Sequence, residues 1–400
     1  MNLPIYLDNH ATTQLDPRVL EAMMPYLTSA YGNAASHSHS FGWAAEQAVE
    51  KARGQVAQLI GASPTEIVFT SGATESNNLA LKGAVESARA AHPGREPHIV
   101  AQTTEHNAVL DPCRWLGKQN CRVTVLPVVP VGEPDAGRIR FDDLRRVLEA
   151  EPAPTLVALM FANNEIGTIQ PVDEIGRLCH DRGVLFHTDA AQAAGKVPID
   201  VSRSHVDLLS ISGHKLYGPK GVGALFARKR GSRIAEQMHG GGHERAMRSG
   251  TLNVPGIVGL GAACELAAAD MAEESLRLAA LRDRLQTKLI AGLDRLRVNG
   301  SQAHRLPGNL NITFMGVDSQ SLMMGMRDVA VSSGSACTSA KIEPSHVLRA
   351  LGLTDEQAHS TLRFGIGRFN TQEEIDFVAE RLIDVVQKLR ELSPAYADLT

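Results

Sequence analysis

The chain has 400 residues, 43% of them hydrophobic, which is enough to bury a sizeable core in two domains and excludes disorder as the main state. With 40 Lys and Arg against 44 Asp and Glu the net charge is −4, without the basic face that a general nucleic-acid binder needs. No apolar run approaches the roughly 20 residues of a membrane span, and Met1 to Asp8 lacks a basic stretch followed by an apolar one, so a cytoplasmic address is expected.

Apolar, β-prone runs recur at Glu66–Thr70, His98–Gln102, Val123–Leu126, Leu156–Met160, Val184–Thr188, Val206–Ile211 and Gly223–Ala227. Helical patterns lie between several of them, at Ala44–Ile60, Leu144–Ala150 and Val172–Asp181. The alternation predicts an α/β fold with a mostly parallel sheet covered by helices on both faces. Segments 91–97 and 127–138 carry Pro and Gly and read as surface connections. After residue 250 the texture changes. Ile257–Leu296 reads as one long helix or two abutting ones, Asn309–Phe314 and Val329–Ser332 as short strands, and Gln372–Leu392 as a closing amphipathic helix. A second, smaller domain is placed from about residue 263 onward.

Ligands of parallel sheets gather beyond the strand carboxyl ends. Gly213 and Gly218 have P-loop spacing, but Pro219 and Lys220 follow where Lys and a hydroxyl residue are required. The dinucleotide fingerprint is also missing. His239-Gly-Gly-Gly-His243 has no accompanying carboxylate motif and reads as a flexible loop without metal. The segment Ser71-Gly72-Ala73-Thr74-Glu75 follows a strand and opens a helix, so its backbone N–H groups and the Thr74 hydroxyl could hold a phosphate. Taken alone, it reads as ordinary capping by Ser71 or Thr74.

The strand at 184–188 runs into Asp189-Ala-Ala-Gln192, and the strand at 206–211 into Ser212-Gly-His-Lys215. A carboxylate at a strand end can meet a cationic ring nitrogen. A lysine among small residues can be desolvated into a carbonyl nucleophile. Asp, Gln, Ser, His and Lys on neighbouring loops form the set that pyridoxal 5'-phosphate needs. His106 also follows a strand and could stack on a ring and shuttle protons.

Five cysteines, an odd number with no Cys-x-x-Cys pair, argue against a disulfide framework or a zinc site. Cys337 stands apart, in Ser332-Ser-Gly-Ser-Ala-Cys-Thr-Ser-Ala340. A run of small polar residues cannot pack a core, so this thiol is expected on an exposed, mobile loop.

These residues resemble the cysteine desulfurases, in the branch that supplies sulfur for iron–sulfur cluster and nitrogenase-type assembly. The marks are Tyr6-Leu-Asp-Asn-His-Ala-Thr-Thr13, Thr70-Ser-Gly-Ala-Thr-Glu-Ser-Asn77, Thr104-Glu-His-Asn107, Asn163-Asn-Glu-Ile-Gly167, Asp189-Ala-Ala-Gln192, Ser210-Ile-Ser-Gly-His-Lys215, Arg248-Ser-Gly-Thr251, Gly334-Ser-Ala-Cys-Thr-Ser339 and Arg363-Phe-Gly-Ile-Gly-Arg368. Their order and spacing cover nearly the whole chain.

The resemblance implies the aspartate-aminotransferase-like fold type I of pyridoxal phosphate enzymes. It implies a large cofactor-binding domain at 16–262 and a small α+β domain formed by 1–15 with 263–400. Lys215 is expected to hold the cofactor covalently, Asp189 to meet its ring nitrogen, and Gln192 its phenolate oxygen. Ala73, Thr74, Ser212 and His214 are expected at the phosphate, with Thr251 reaching the phosphate of a partner subunit in a homodimer. His106 is implied as ring-stacking proton carrier, Asn164 and Arg363 as substrate-orienting residues, and Cys337 as the thiol that takes sulfur from L-cysteine and leaves L-alanine. A sulfur-acceptor protein, an iron–sulfur scaffold or a sulfur carrier, is the implied partner. A selenocysteine lyase or an aminotransferase on the same fold is the alternative reading.

Overall fold

The structure is a computed structural model that describes residues 3–229, 234–333, 343–392 and 396. The chain opens with β1 (Ile5–Tyr6), α1 (Pro17–Thr28), α2 (Ser40–Ile60), β2 (Ile67–Thr70) and α3 (Ala73–Ala91). Strand and helix then alternate through β3 (His98–Gln102), α4 (Asn107–Gly117), β4 (Arg122–Leu126), α5 (Phe141–Leu148), β5 (Leu156–Ala158), α6 (Val172–Asp181) and β6 (Leu185–Asp189), before β7 (Leu208–Ser212) and β8 (Gly223–Ala227). The long α7 (Val254–Gly292) leads to β9 (Leu296–Val298), β10 (Asn309–Phe314), α8 (Ser319–Gly325), β11 (Val329–Ala330) and β12 (Ser332–Ser333). The C-terminal part contains α9 (His346–Ala350), α10 (Asp355–His359), β13 (Thr361–Gly365) and α11 (Gln372–Glu391).

Seven strands form the large sheet in the order β2-β8-β7-β6-β5-β3-β4. Only β8 runs antiparallel to its neighbours; the other pairs are parallel, as the alternation predicted. Both faces are buried, one under Val56, Ile60 and Val172, the other under Leu79, Ala84 and Leu116. A separate core unites Ile5 and Leu7 with Leu285, Ile312, Phe364 and Leu382. The helix α7 serves both cores. Its first turns, from Val254 to Ala267, pack on the large sheet's side, and Leu278 to Leu289 pack in the second core.

The helix expected over Ile257–Leu296 is therefore a single one, Val254–Gly292, with Leu296 already in β9, and it is capped by the Asn253 side chain, which accepts from Gly256 N. By length and composition alone α7 could cross a membrane, contrary to the expectation from the sequence. Half of its apolar stretch is buried inside the protein, and the helix lies against α1 and α2, which accounts for its apolarity.

Three other expectations need correction. The strand expected over 156–160 ends at Ala158, because Met160 turns its N–H to the Glu105 carboxyl. Val329–Ser332 divides into β11, parallel to β1, and β12, antiparallel to β13, so the chain changes sheets at Val331. Segment 127–138 is not merely a surface connection. Val128 and Ala136 are buried, and the carbonyls of Pro134 and Ala136 accept from Ser301 and Thr168.

Candidate active site

A cavity of about 520 Å³ opens at the carboxyl ends of the parallel strands. Its wall contains Ala73, Thr74, His106, Asn164, Asp189, Gln192, Ser212, His214 and Lys215. These nine expected site residues come from loops spread over more than 140 positions of sequence, and the sheet register brings them together. Asp189 at the end of β6 lies beside Ser210 of β7, so the tight turn Gly213–Lys215 that follows β7 places His214 and Lys215 next to it.

The Lys215 amine donates to the carbonyls of His10 and Ala11 at 2.6 and 2.7 Å. Burial, reinforced by the Arg363 charge, lowers its pKa to about 8 against the pull of Asp189 and Asp8. Lys215 can thus shed its proton near neutrality, which a carbonyl nucleophile requires. Asp189 is buried and doubly held: Asn77 Nδ2 donates to Oδ2 at 2.7 Å and Ala191 N to Oδ1 at 2.9 Å.

The start of α3 is uncapped by any side chain. Gly72 is its N-cap, at φ +148°, a conformation open to glycine. Capping by Ser71 or Thr74 does not occur, and the first-turn N–H groups and the helix dipole are left for an anion. Ser212 and His214 face this turn across the cavity. Burial, with the charges of Lys215, Lys220 and Lys196 adding to it, presses the His214 imidazole down to about 4.

His106 caps α4, its Nδ1 accepting from Ala108 N at 3.0 Å. That bond leaves Nε2 as the protonated nitrogen of the neutral ring, and burial lowers its pKa. Arg363 is not on the cavity wall. It lies behind Asn164, donating to the Asn164 carbonyl at 3.1 Å and to Asp8 Oδ1 at 2.6 Å. Thr251 is exposed and also off the wall. The segment His239–His243, expected to be a flexible loop, is braced by the residues after it: Gly242 N donates to Ser249 Oγ, Gly250 N to His243 Nδ1, and Arg248 to Glu75 of α3.

Cys337 lies outside the described residues. The other four cysteines are buried, and burial pushes every one of their thiols up, Cys113 and Cys264 to about 12. None of the four is a ready thiolate. Residues that sequence reasoning missed include Asn77, His10, Asp8, Thr12 and Lys196. All but Lys196 lie in segments singled out as motifs, but contacts to backbone and second partners leave no signature of residue type.

Comparison with known proteins identifies the family. The sequence model of the class-V aminotransferases matches residues 5–378. A protein named cysteine desulfurase IscS from Anaeromyxobacter sp. is 56% identical over 397 residues, covering 99% of this chain and 96% of that one. The cysteine desulfurase of Mus musculus is 52% identical over 394 residues, covering 98% and 83%. Among solved structures, a NifS-like protein superposes with a TM-score of 0.86 at 34% identity, covering 96% of this chain and 99% of that one. SspA, solved in complex with cysteine, gives 0.79 at 34% identity, covering 92% and 100%. The chain belongs to the class-V aminotransferases, a family that works with pyridoxal 5'-phosphate, and within it to the cysteine desulfurases.

Proposed function

We propose that this chain is a pyridoxal 5'-phosphate-dependent cysteine desulfurase that converts L-cysteine to L-alanine and carries the sulfur as a persulfide on Cys337. The observation that carries the reading is one cavity in which a lysine with a pKa of about 8, a doubly anchored carboxylate and an uncapped helix start face one another. The donor set fits the cofactor: an amine for its carbonyl carbon, an acid for its ring nitrogen, and a glycine-lined cradle for its phosphate that a Cβ at residue 72 would begin to fill. The cavity volume lies within the ~300–1,000 Å³ usual for small-molecule sites.

When bound, the cofactor supplies an electron sink for charge left at the substrate's α-carbon. Lys215 Nζ holds it and, once released, takes the α-proton. Asp189 keeps the ring nitrogen protonated, and Gln192 donates to the phenolate oxygen. Ala73, Thr74, Ser212 and His214 hold the phosphate, joined by Thr251 from a partner copy in a homodimer. His106 stacks on the ring and moves protons at Nε2. Asn164 orients the substrate, and Arg363 takes its carboxylate by reorganising its bond to Asp8. The Cys337 thiolate attacks the substrate sulfur: the S–S bond forms, the C–S bond breaks, and the electron pair left on carbon is protonated to give alanine.

Described residues on either side of the Cys337 segment support this role. Ser333 pairs with Leu362, and Ser332 pairs with Arg363. His346 Nε2 bonds the Glu105 carbonyl at 2.9 Å, next to His106. The sulfur then passes by thiol exchange to an acceptor protein. The N-terminal residues 1–15 then belong with 263–400 as one domain and 16–262 as the other. The test is mass spectrometry of Cys337 after incubation with L-cysteine, with alanine assayed in parallel. One added sulfur on Cys337 with alanine is expected. Alanine without that sulfur, or neither product, overturns the reading.

A further inference from the structure

Gln192 is held by more than its place on the cavity wall. Its Oε1 accepts from Lys196 Nζ at 3.2 Å and lies 3.1 Å from His10 Nδ1, while its Nε2 donates to the His10 carbonyl at 2.9 Å. A carbonyl oxygen only accepts, so His10 must carry its proton on Nδ1. Its Nε2 is then bare, and that atom is indeed buried without a partner. Burial keeps this imidazole neutral.

Turning the amide over would set Oε1 against the His10 carbonyl and the NH₂ group against the Lys196 amine and the His10 N–H. The contact with the His10 carbonyl would become acceptor to acceptor, and the contact with the Lys196 ammonium donor to donor. The amide therefore has one orientation, with one Nε2 hydrogen spent on His10 and the other available to an acceptor in the cavity.

We infer that Lys196 is a positioning residue that locks the Gln192 amide with its N–H toward the cofactor's anionic ring oxygen. Lys196 does not line the cofactor cavity. It lines a separate void of about 20 Å³ with His10, Tyr217 and Glu274, so it acts through Gln192 rather than on the ligand. Burial and the nearby Lys215 charge lower the Lys196 pKa to about 7, and in either protonation state its Nζ keeps a hydrogen to donate. A buried amine with no other hydrogen-bond acceptor among the described residues is costly, and this use explains its retention. The inference rests on the reading that Gln192 touches the cofactor.

The test is a double-mutant cycle on the full-length chain, stripped of cofactor and titrated with pyridoxal 5'-phosphate. It reads the dissociation constant and the visible absorption maximum of the bound state. Gln192→Ala is expected to weaken binding about tenfold, the usual cost of one hydrogen bond to a charged oxygen, and to shift the maximum. Lys196→Met should weaken binding about fivefold and shift the maximum in the same direction. The double variant should be no worse than Gln192→Ala alone, and Lys196→Gln, which keeps a donor without the charge, should recover most of the loss. His10→Leu removes the other donor to the same oxygen and must behave like Lys196→Met, which provides a second route if that variant does not fold. Additive effects, or a silent Lys196→Met beside an active Gln192→Ala, overturn the lock alone. A silent Gln192→Ala overturns both the lock and the cofactor contact beneath it.

Discussion

Asn77→Leu separates what Asn77 does for the fold from what it does for the site. Asn77 is fully buried, one turn into α3, and its Nδ2 gives Asp189 one of two hydrogen bonds. Its own Oδ1 is buried without a partner. Leucine, likewise branched at Cγ, removes both at once. Losing a hydrogen bond to a charged group costs about 1.5–3 kcal/mol, and removing a buried orphan returns about 1–3 kcal/mol. The two nearly offset, so Tm should move by only a few degrees. Asp189 has no such compensation. Without one of its two donors the carboxylate is held by Ala191 N alone and loses its fixed position. Its contact with a ring nitrogen is then no longer preorganised, and turnover should fall by at least about tenfold, the usual cost of one hydrogen bond to a charged group. The assay is alanine release from L-cysteine, with calorimetry on the same sample. Unchanged turnover in a folded variant refutes the positioning of Asp189 by Asn77. A Tm loss above about 10 °C refutes the compensation.

His187 is fully buried with its Nδ1 unpartnered, and burial lowers its pKa from 6.5 to about 4. The unfolded chain takes up a proton below pH 6.5 while the folded one waits until about pH 4, so stability is intact above 6.5 and falls as pH drops toward 4. Between pH 7 and 4.5 that amounts to about 2 kcal/mol. His187→Leu should remove this part of the acid loss in urea unfolding at the two pH values, and an unchanged difference would count against it. Arg363→Lys gives up the fork that spans Asp8 and the Asn164 carbonyl. The KM for L-cysteine should rise about tenfold with a smaller change in kcat, and an unaltered KM removes Arg363 from the substrate's carboxylate. Thr251→Ala should speed cofactor loss on dilution if the residue completes a partner's phosphate site; retention equal to the parent's rejects that contact.

The β-strands of the large sheet were legible because strands buried on both faces read as continuous apolar runs, and parallel His98–Gln102 and antiparallel Gly223–Ala227 both match the structure to the residue. Lys215, Asp189 and His106 were legible because polar residues at strand ends have few structural uses. What the sequence could not carry was pairing at a distance. Nothing local distinguishes Val329–Ala330 from Ser332–Ser333, yet one pair joins β1 and the other β13. Burial of 128 and 136 depends on partners at 168 and 301. Segment 257–296 read as one helix or two because the apolar face of what is α7 changes partners midway, from the large sheet's core to the second core, without a break in the backbone.

The N-terminal strap at residues 8–13 shows why a motif can be recognised long before its use is understood. The carbonyls of His10 and Ala11 hold the Lys215 amine, Thr12 meets His214, Thr13 bonds both the His214 carbonyl and Tyr217 N, and Asp8 pairs with Arg363. Most of these contacts use backbone atoms or short side chains, so neither periodicity nor charge marks them. The strap packs through Ile5 and Leu7 into the second core, to which β13 with Arg363 also belongs, while Lys215, His214 and Tyr217 follow β7 on the large sheet. A shift of one core against the other would therefore carry Asp8 and Arg363 together and move the carbonyls of His10 and Ala11 against the Lys215 amine. The same six residues thus tie the amine on one core to the guanidinium on the other, and the distance between the two is set by how the cores sit against each other.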